Sequence, residues 1–156
     1  MSMLDKLSGD QRPAPAPLVL ALRVLGAVLL AGTAAIHLRL WAQGYDSIAW
    51  IGPLFLVNAV SGFALCVAVL GTPRRLLFWP AAAGALLELG TLGALILSST
   101  VGLFGFVEST AASLYWPSVV VEAVGAVVLG SLAVLVRPVR RAVAPDGWTE
   151  PARSGG

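Results

Sequence analysis

The sequence has very few of the side chains from which most catalytic and metal sites are built. Its 156 residues include one cysteine, Cys66, and one histidine, His37. A single cysteine excludes a disulfide framework and a cysteine-based metal site within one chain. A single histidine likewise excludes a zinc finger, a bis-histidine haem site and an H-E-x-x-H metalloprotease. No metal or other cofactor is therefore predicted.

Charged residues are also scarce, at 12% of the chain, whereas 58% of the residues are hydrophobic and the mean hydropathy is +0.88. This composition lies outside the range of soluble domains and is typical of membrane proteins. The net charge of +2 does not indicate a nucleic-acid partner, because the basic residues bracket apolar segments instead of forming a basic face. Abundant arginine, alanine and glycine beside a single lysine also indicate a bacterium with a GC-rich genome.

Four apolar segments provide the roughly 20 residues that a helix needs to cross a lipid bilayer. They cover residues 18–40, 50–71, 77–98 and 116–136. Because they are too long and too unalternating for barrel strands, each is predicted to be a helix. We expect an all-α fold, a four-transmembrane-helix bundle. Its membrane domain at 17–136 is predicted to lie between a disordered tail at 1–16 and a basic tail at 137–156.

The distribution of lysine and arginine predicts the orientation of the bundle. Of the ten basic residues, all but Arg39 lie near the two tails or in the connection between the second and third spans. By the positive-inside rule both termini are predicted to be cytoplasmic, in a multi-pass protein of the cell membrane. Arg23, near the start of the first span, is expected to anchor at the inner interface. One alternative stays open, since the first segment also resembles a secretory signal cleaved after residues 33–35.

Each of the four predicted spans carries one strongly polar residue. A charged side chain at mid-membrane costs roughly 2.5–3.5 kcal/mol on insertion scales, so it needs a partner, a water-filled cavity or a neutralising proton. Glu88 and Glu122 interrupt the third and fourth spans, and His37 and Asn58 lie in the first and second. At 100° per residue, each of the four shares a helix face with a hydroxyl group. These supporting residues are Thr33, Ser61, Thr91 and Ser118.

We therefore predict a polar intramembrane cluster of His37, Asn58, Glu88 and Glu122. It is expected to line a polar interior that opens outward, with Glu88 the deepest and lipid-facing leucine, valine and isoleucine on the exterior. Structural roles are the alternatives: a solvated histidine near a helix end for His37, and interhelical hydrogen bonding for Asn58. The loop at 102–108 is unusually apolar and is expected to be either a re-entrant lid or the frayed end of the third helix.

Several short segments resemble small four-helix membrane proteins of unassigned function from GC-rich bacteria. They are the runs at 36–41, 44–45, 51–58 and 102–108. The resemblance covers residues 18–136 and implies a fold without implying an activity. In size and helix count the chain is also similar to the DoxX-like group, some members of which are associated with quinone-linked redox complexes.

These observations leave three classes of function. The first is a bundle that binds or passes a small polar or cationic solute, or protons, with the glutamates as titrating groups and a homo-oligomer or a partner membrane protein completing the path. The second is a non-catalytic accessory or scaffold subunit of a larger membrane complex. The third is a quinone- or haem-linked redox subunit, which one histidine and one cysteine support poorly. No hydrolase is indicated, because Ser61, Ser118 and His37 come without a nucleophile elbow.

Overall fold

The computed structural model describes residues 14–138, so the predicted tails lie almost wholly outside the described residues. Its four long helices are α1 (Ala16–Ala42), α2 (Ile51–Gly71), α3 (Phe78–Thr100) and α4 (Tyr115–Leu135). Each helix, at 21 to 27 residues, is long and apolar enough to cross a membrane. No strand occurs within the described range. The predicted all-α fold of four spanning helices is confirmed, and the chain is a multi-pass membrane protein.

Proline residues mark the start of two helices. Pro15 precedes α1 and Pro17 lies in its first turn, where a residue without a backbone N–H leaves no hydrogen bond unmade. The helix therefore begins before residue 18, the start that the sequence predicts, and it continues past residue 40 to Ala42. Pro117 occupies the first turn of α4 for the same reason.

The four helices form a ring in chain order, and short connections make consecutive helices antiparallel. Helix α1 packs extensively on α2 and α4, and α3 packs on α4, whereas the contact between α2 and α3 is the least extensive side of the ring. We call the end with the connections 43–50 and 101–114 the loop-side half. The end with residues 14 and 138 and the connection 72–77 is the terminus-side half. That the terminus-side half faces the cytoplasm stays a prediction from the charge distribution.

The terminus-side half is filled by apolar side chains. Leu129 is fully buried between α1 and α3. It fits because a Cβ on Gly26 or Gly84 would lie 2.6 Å or 3.1 Å, respectively, from its side chain. Leu30 and Leu77 are fully buried in the same core. The sequence predicts a polar interior, but the interior of this half is apolar. The reason is that small residues on α1 and α3 leave room for a large leucine from α4.

Arg23 has a more specific role than the predicted interfacial anchor. Its guanidinium donates hydrogen bonds of 2.5–2.6 Å to the carbonyl oxygens of Val69, Leu70 and Thr72. These carbonyls belong to the end of α2, where helix geometry leaves such groups without partners. The negative end of the helix dipole also favours a cation at this position. Arg23 therefore caps α2 and ties it to α1.

The connection 101–114 folds over the loop-side end of the bundle. Leu103 and Phe106 exchange two backbone hydrogen bonds, of 2.7 Å and 2.8 Å. Gly102 and Gly105 adopt positive φ angles, which glycine accepts without a steric penalty. The segment is thus a separate turn-forming loop and not a continuation of the third helix.

Candidate functional site

A cavity of about 320 Å³ lies in the loop-side half of the bundle. Most of its wall is apolar and comes from α2 and α3, with a few polar side chains from all four helices. Ligand pockets in proteins have volumes of roughly 300–1,000 Å³ and a similar mixture of apolar wall and few polar groups. The polar residues that the helices contribute are His37, Asn58, Thr91, Ser98, Ser118 and Glu122.

Two glutamates, which we call the carboxylate pair, are buried beside this cavity. Glu88 and Glu122 have exposed fractions of 0% and 1%. Glu122 lines the cavity, whereas Glu88 lies against the backbone of α4. A Cβ on Gly125 would lie 2.9 Å from the carboxyl carbon of Glu88, so a larger residue at this position would require the carboxyl group to move. The two carboxyl groups are close enough to interact electrostatically.

Each member of the pair has an oxygen atom without a hydrogen-bond partner. The Thr33 hydroxyl donates a hydrogen bond of 2.9 Å to Oε2 of Glu88, while Oε1 of Glu88 and Oε2 of Glu122 have none. Among the described residues, no lysine or arginine lines the cavity, and the hydrogen-bond partner of Glu88 is the neutral Thr33. Leaving a buried polar atom unpaired costs about 1–3 kcal/mol, so such atoms are rare. The pair therefore requires a proton or a cation to neutralise it.

His37 is held in place by its own helix. Its Nδ1 lies 2.9 Å from the carbonyl oxygen of Thr33. Because a carbonyl only accepts hydrogen bonds, Nδ1 carries the hydrogen, and in the neutral ring Nε2 is an acceptor. The ring packs against Phe55 with a centroid distance of 4.9 Å. His37 thus lines the cavity from α1, the helix opposite α3, and its neutral ring keeps one acceptor, Nε2.

Asn58 and Thr91 connect α2 to α3 across the least extensive side of the ring. The Asn58 amide donates a hydrogen bond of 2.5 Å to the Thr91 hydroxyl, which in turn donates to the carbonyl oxygen of Leu87. The Oδ1 atom of Asn58 is buried and has no partner. Asn58 therefore has the structural role expected for interhelical polar residues, and this residue of the cavity lining keeps one acceptor without a partner.

The structure brings most of the predicted cluster to one place. The cavity is lined by the predicted residues His37, Asn58, Glu122, Thr91 and Ser118. Glu88 is outside the lining and is joined to the cluster through Thr33 and its coupling to Glu122. Ser61 does not line the cavity, because it lies almost one helical turn beyond Asn58, toward the terminus-side half.

Two residues that close the loop side of the cavity are not predicted from the sequence. The Tyr45 hydroxyl donates to Glu108, 2.9 Å and 3.1 Å from its two carboxylate oxygens. The Tyr45 ring stacks on Phe55 and meets the edge of Phe106. Burial, followed by the hydrogen bond and charge of Glu108, raises the pKa of Tyr45 to about 12. Both residues lie in connections, where helical periodicity carries no information about contacts.

Within the described range, no group of three or more His, Cys, Asp or Glu side chains is placed to hold a metal ion. Comparison of the chain with protein-family models, with curated proteins and with solved structures finds no match. The resemblance to small four-helix bacterial proteins and to the DoxX-like group therefore stays a prediction. The fold and the site define the class by themselves: a multi-pass membrane protein with a ligand-sized cavity beside a buried carboxylate pair.

Proposed function

We propose that this protein binds a small cationic solute, in exchange for protons, at the carboxylate pair of Glu88 and Glu122. We place it in the cytoplasmic membrane of a bacterium, with the cavity opening outward. The observation that carries the proposal is the burial of two carboxyl groups beside a cavity, with no basic side chain against them in residues 14–138.

The electrostatics of the pair supports exchange between a cation and a proton. Two carboxylates that share a buried site repel each other when both are ionised, so the empty site retains a proton. A cation that enters the cavity replaces that proton and supplies hydrogen-bond donors to the unpaired oxygens. Among the described residues, the other titratable side chains that line the cavity are His37 on α1, Tyr115 on α4, and Tyr45 and Glu108 in the two connections, whereas α2 contributes the neutral Asn58.

The different packing of the two halves indicates whether a single chain forms a channel or a binding site. The cavity lies in the loop-side half, and the buried leucines around Leu129 fill the terminus-side half. This arrangement favours a binding site reached from one side over an open channel. Movement of the solute across the membrane would need a second conformation, and we infer that another copy of the chain or a partner membrane protein takes part in it.

The experiment uses the purified full chain in lipid nanodiscs and ethylammonium as the probe. Binding is measured by equilibrium dialysis, and proton release is measured in weakly buffered solution. We expect ethylammonium to release protons on binding and to bind more weakly as the pH falls. Glu122→Gln should lower the affinity at least about tenfold, equivalent to about 1.4 kcal/mol. Asp46→Asn removes an exposed acid that does not line the cavity and should leave the affinity unchanged.

An unchanged affinity for ethylammonium in Glu122→Gln would contradict the proposal.

The accessory-subunit alternative requires the glutamates to reach a partner helix, and their burial inside this chain weighs against it. Co-purification of a partner that is lost in Glu122→Gln, without any binding of ethylammonium to the wild type, would favour that alternative. The redox alternative predicts visible absorption from bound haem, or ultraviolet absorption from bound quinone, in the purified protein.

A further inference from the structure

The cavity has an open side between α2 and α3. Leu54 and Val57 on α2 and Leu86 on α3 line the cavity and are also 47%, 61% and 70% exposed on the bundle surface. These two helices also make the least extensive contact in the ring. Because they span the membrane, the surface beside this gap is in contact with lipid chains. The gap therefore joins the cavity to the bilayer interior.

The loop side of the cavity is more completely covered. Leu103, Phe106 and Glu108 from the connection 101–114 lie over it. The hydrogen bond between Tyr45 and Glu108 ties this connection to the one before α2, and Tyr45 also stacks on Phe55. A ligand that comes directly from water has to displace this cover, whereas a ligand that comes from lipid passes the side chains along the gap, beside the hydrogen bond between Asn58 and Thr91.

The unpaired polar atoms around the cavity have one chemistry in common. Oε2 of Glu122 and Oδ1 of Asn58 are hydrogen-bond acceptors without partners, and Nε2 of His37 is an acceptor in the neutral ring. The complement of several acceptors beside a carboxylate is a positively charged group with several N–H donors. A primary ammonium group, with three donors and one charge, satisfies this requirement.

We propose that the ligand is an amphipathic primary amine that enters from the bilayer between α2 and α3, with its ammonium group at Glu122 and Asn58 and its alkyl chain along the gap. This inference rests on the proposed function and adds to it the class of ligand and the route. The apolar wall of the cavity accommodates the chain, and the carboxylate pair accepts the charge.

The experiment compares four probes in nanodiscs: ethylammonium, n-octylammonium, n-octyltrimethylammonium and n-octanol. Each dissociation constant is expressed as the free concentration of the probe in water, and binding to nanodiscs without protein is subtracted. Each methylene kept out of water contributes up to about 0.8 kcal/mol, which is about fourfold in affinity. We expect n-octylammonium to bind at least about tenfold more tightly than ethylammonium. The trimethyl compound, which has charge but no N–H, and octanol, which has no charge, should each bind at least about tenfold more weakly than n-octylammonium.

Two glycines of α3 provide a matched pair of variants for the route. Gly90 lines the cavity at the gap, and Gly93 does not. Both are exposed, and a Cβ on either meets no other atom within 4 Å, so both positions accept a larger side chain. Gly90→Phe should fill the gap and lower the ratio of the affinity for n-octylammonium to that for ethylammonium at least about tenfold. Gly93→Phe should change neither affinity.

The possible failures are distinguishable. Equal affinities for ethylammonium and n-octylammonium, or a ratio of the two affinities that is unaffected by Gly90→Phe, would overturn the inference and leave the proposed function standing. Equal binding of n-octylammonium and its trimethyl analogue would overturn the assignment of a donor group. If neither amine binds, or if Glu122→Gln binds both as the wild type does, the proposed function itself fails. Binding of ethylammonium by Gly90→Phe shows that this variant is folded.

Discussion

The terminus-side half of the bundle places glycine opposite leucine, whereas the loop-side half places aromatic and polar side chains around a cavity. In the first, Gly26 and Gly84 allow Leu129 to fill the space between three helices. In the second, Asn58 and the carboxylate pair keep oxygens without partners. Lipid is as apolar as leucine, so helices in a membrane associate by close contact and hydrogen bonding and not by escape from water. The contrast indicates that stability comes mainly from one half, which allows the other to be organised for binding.

The largest expected effect comes from enlarging the space at Leu129. Leu129→Ala should lower the free energy of unfolding by about 2 kcal/mol, the lower end of the range for buried leucines in soluble proteins, because the unfolded helices stay in lipid and only packing is lost. Val127→Ala, at a residue 68% exposed on the same helix, is the matched control and should change it by less than about 0.5 kcal/mol. Titration with a denaturing detergent measures both. Equal losses in the two variants would contradict the assignment of stability to the terminus-side half.

A smaller effect is expected where α2 meets α3. Thr91→Val keeps the shape of the side chain but removes the hydroxyl that accepts from Asn58. Hydrogen bonds between membrane helices contribute about 0.6 kcal/mol on average, and the unfolding free energy should fall by about that amount. Thr100→Val, at an exposed hydroxyl that bonds only within α3, serves as the control. A loss as large as that of Leu129→Ala would show that the loop-side half is equally important for stability.

The smallest effect is expected at the cover of the cavity, and only at high pH. Burial raises the pKa of Tyr45 in the folded protein to about 12, above the value of about 10 for a free phenol. The stabilisation from its bond to Glu108 is therefore complete below pH 10 and is lost as the pH rises through 12. In a titration of tyrosinate absorbance, Tyr45→Phe should remove a component with a midpoint near 12, and Tyr115→Phe should leave it in place. Persistence of that component in Tyr45→Phe would contradict the assignment.

The fold was largely predictable from the sequence, because membrane thickness fixes helix length and four apolar segments meet it. The cluster of His37, Asn58 and Glu122 was predictable for a related reason, since polar side chains turn away from lipid. Three features were not. Ser61 shares a helix face with Asn58 but lies beyond the end of the cavity. The contact between Tyr45 and Glu108 joins two connections, which no periodicity relates. The fit of Leu129 depends on which helices are neighbours in the ring, and a single sequence does not specify this.

The approach of Glu88 to the backbone of α4 links two positions on different helices. A methyl group at Gly125 would lie 2.9 Å from the Glu88 carboxyl carbon, so any larger residue at 125 requires the acid to move away from the backbone of α4. In a related chain without Glu88, a side chain at position 125 would meet no steric constraint from this acid. In a chain that first acquired a side chain at 125, Glu88 would have to move or be replaced. In evolution, therefore, a side chain at position 125 is expected mainly in chains that lack the acid at 88, whereas a glycine at 125 is compatible with either residue at 88.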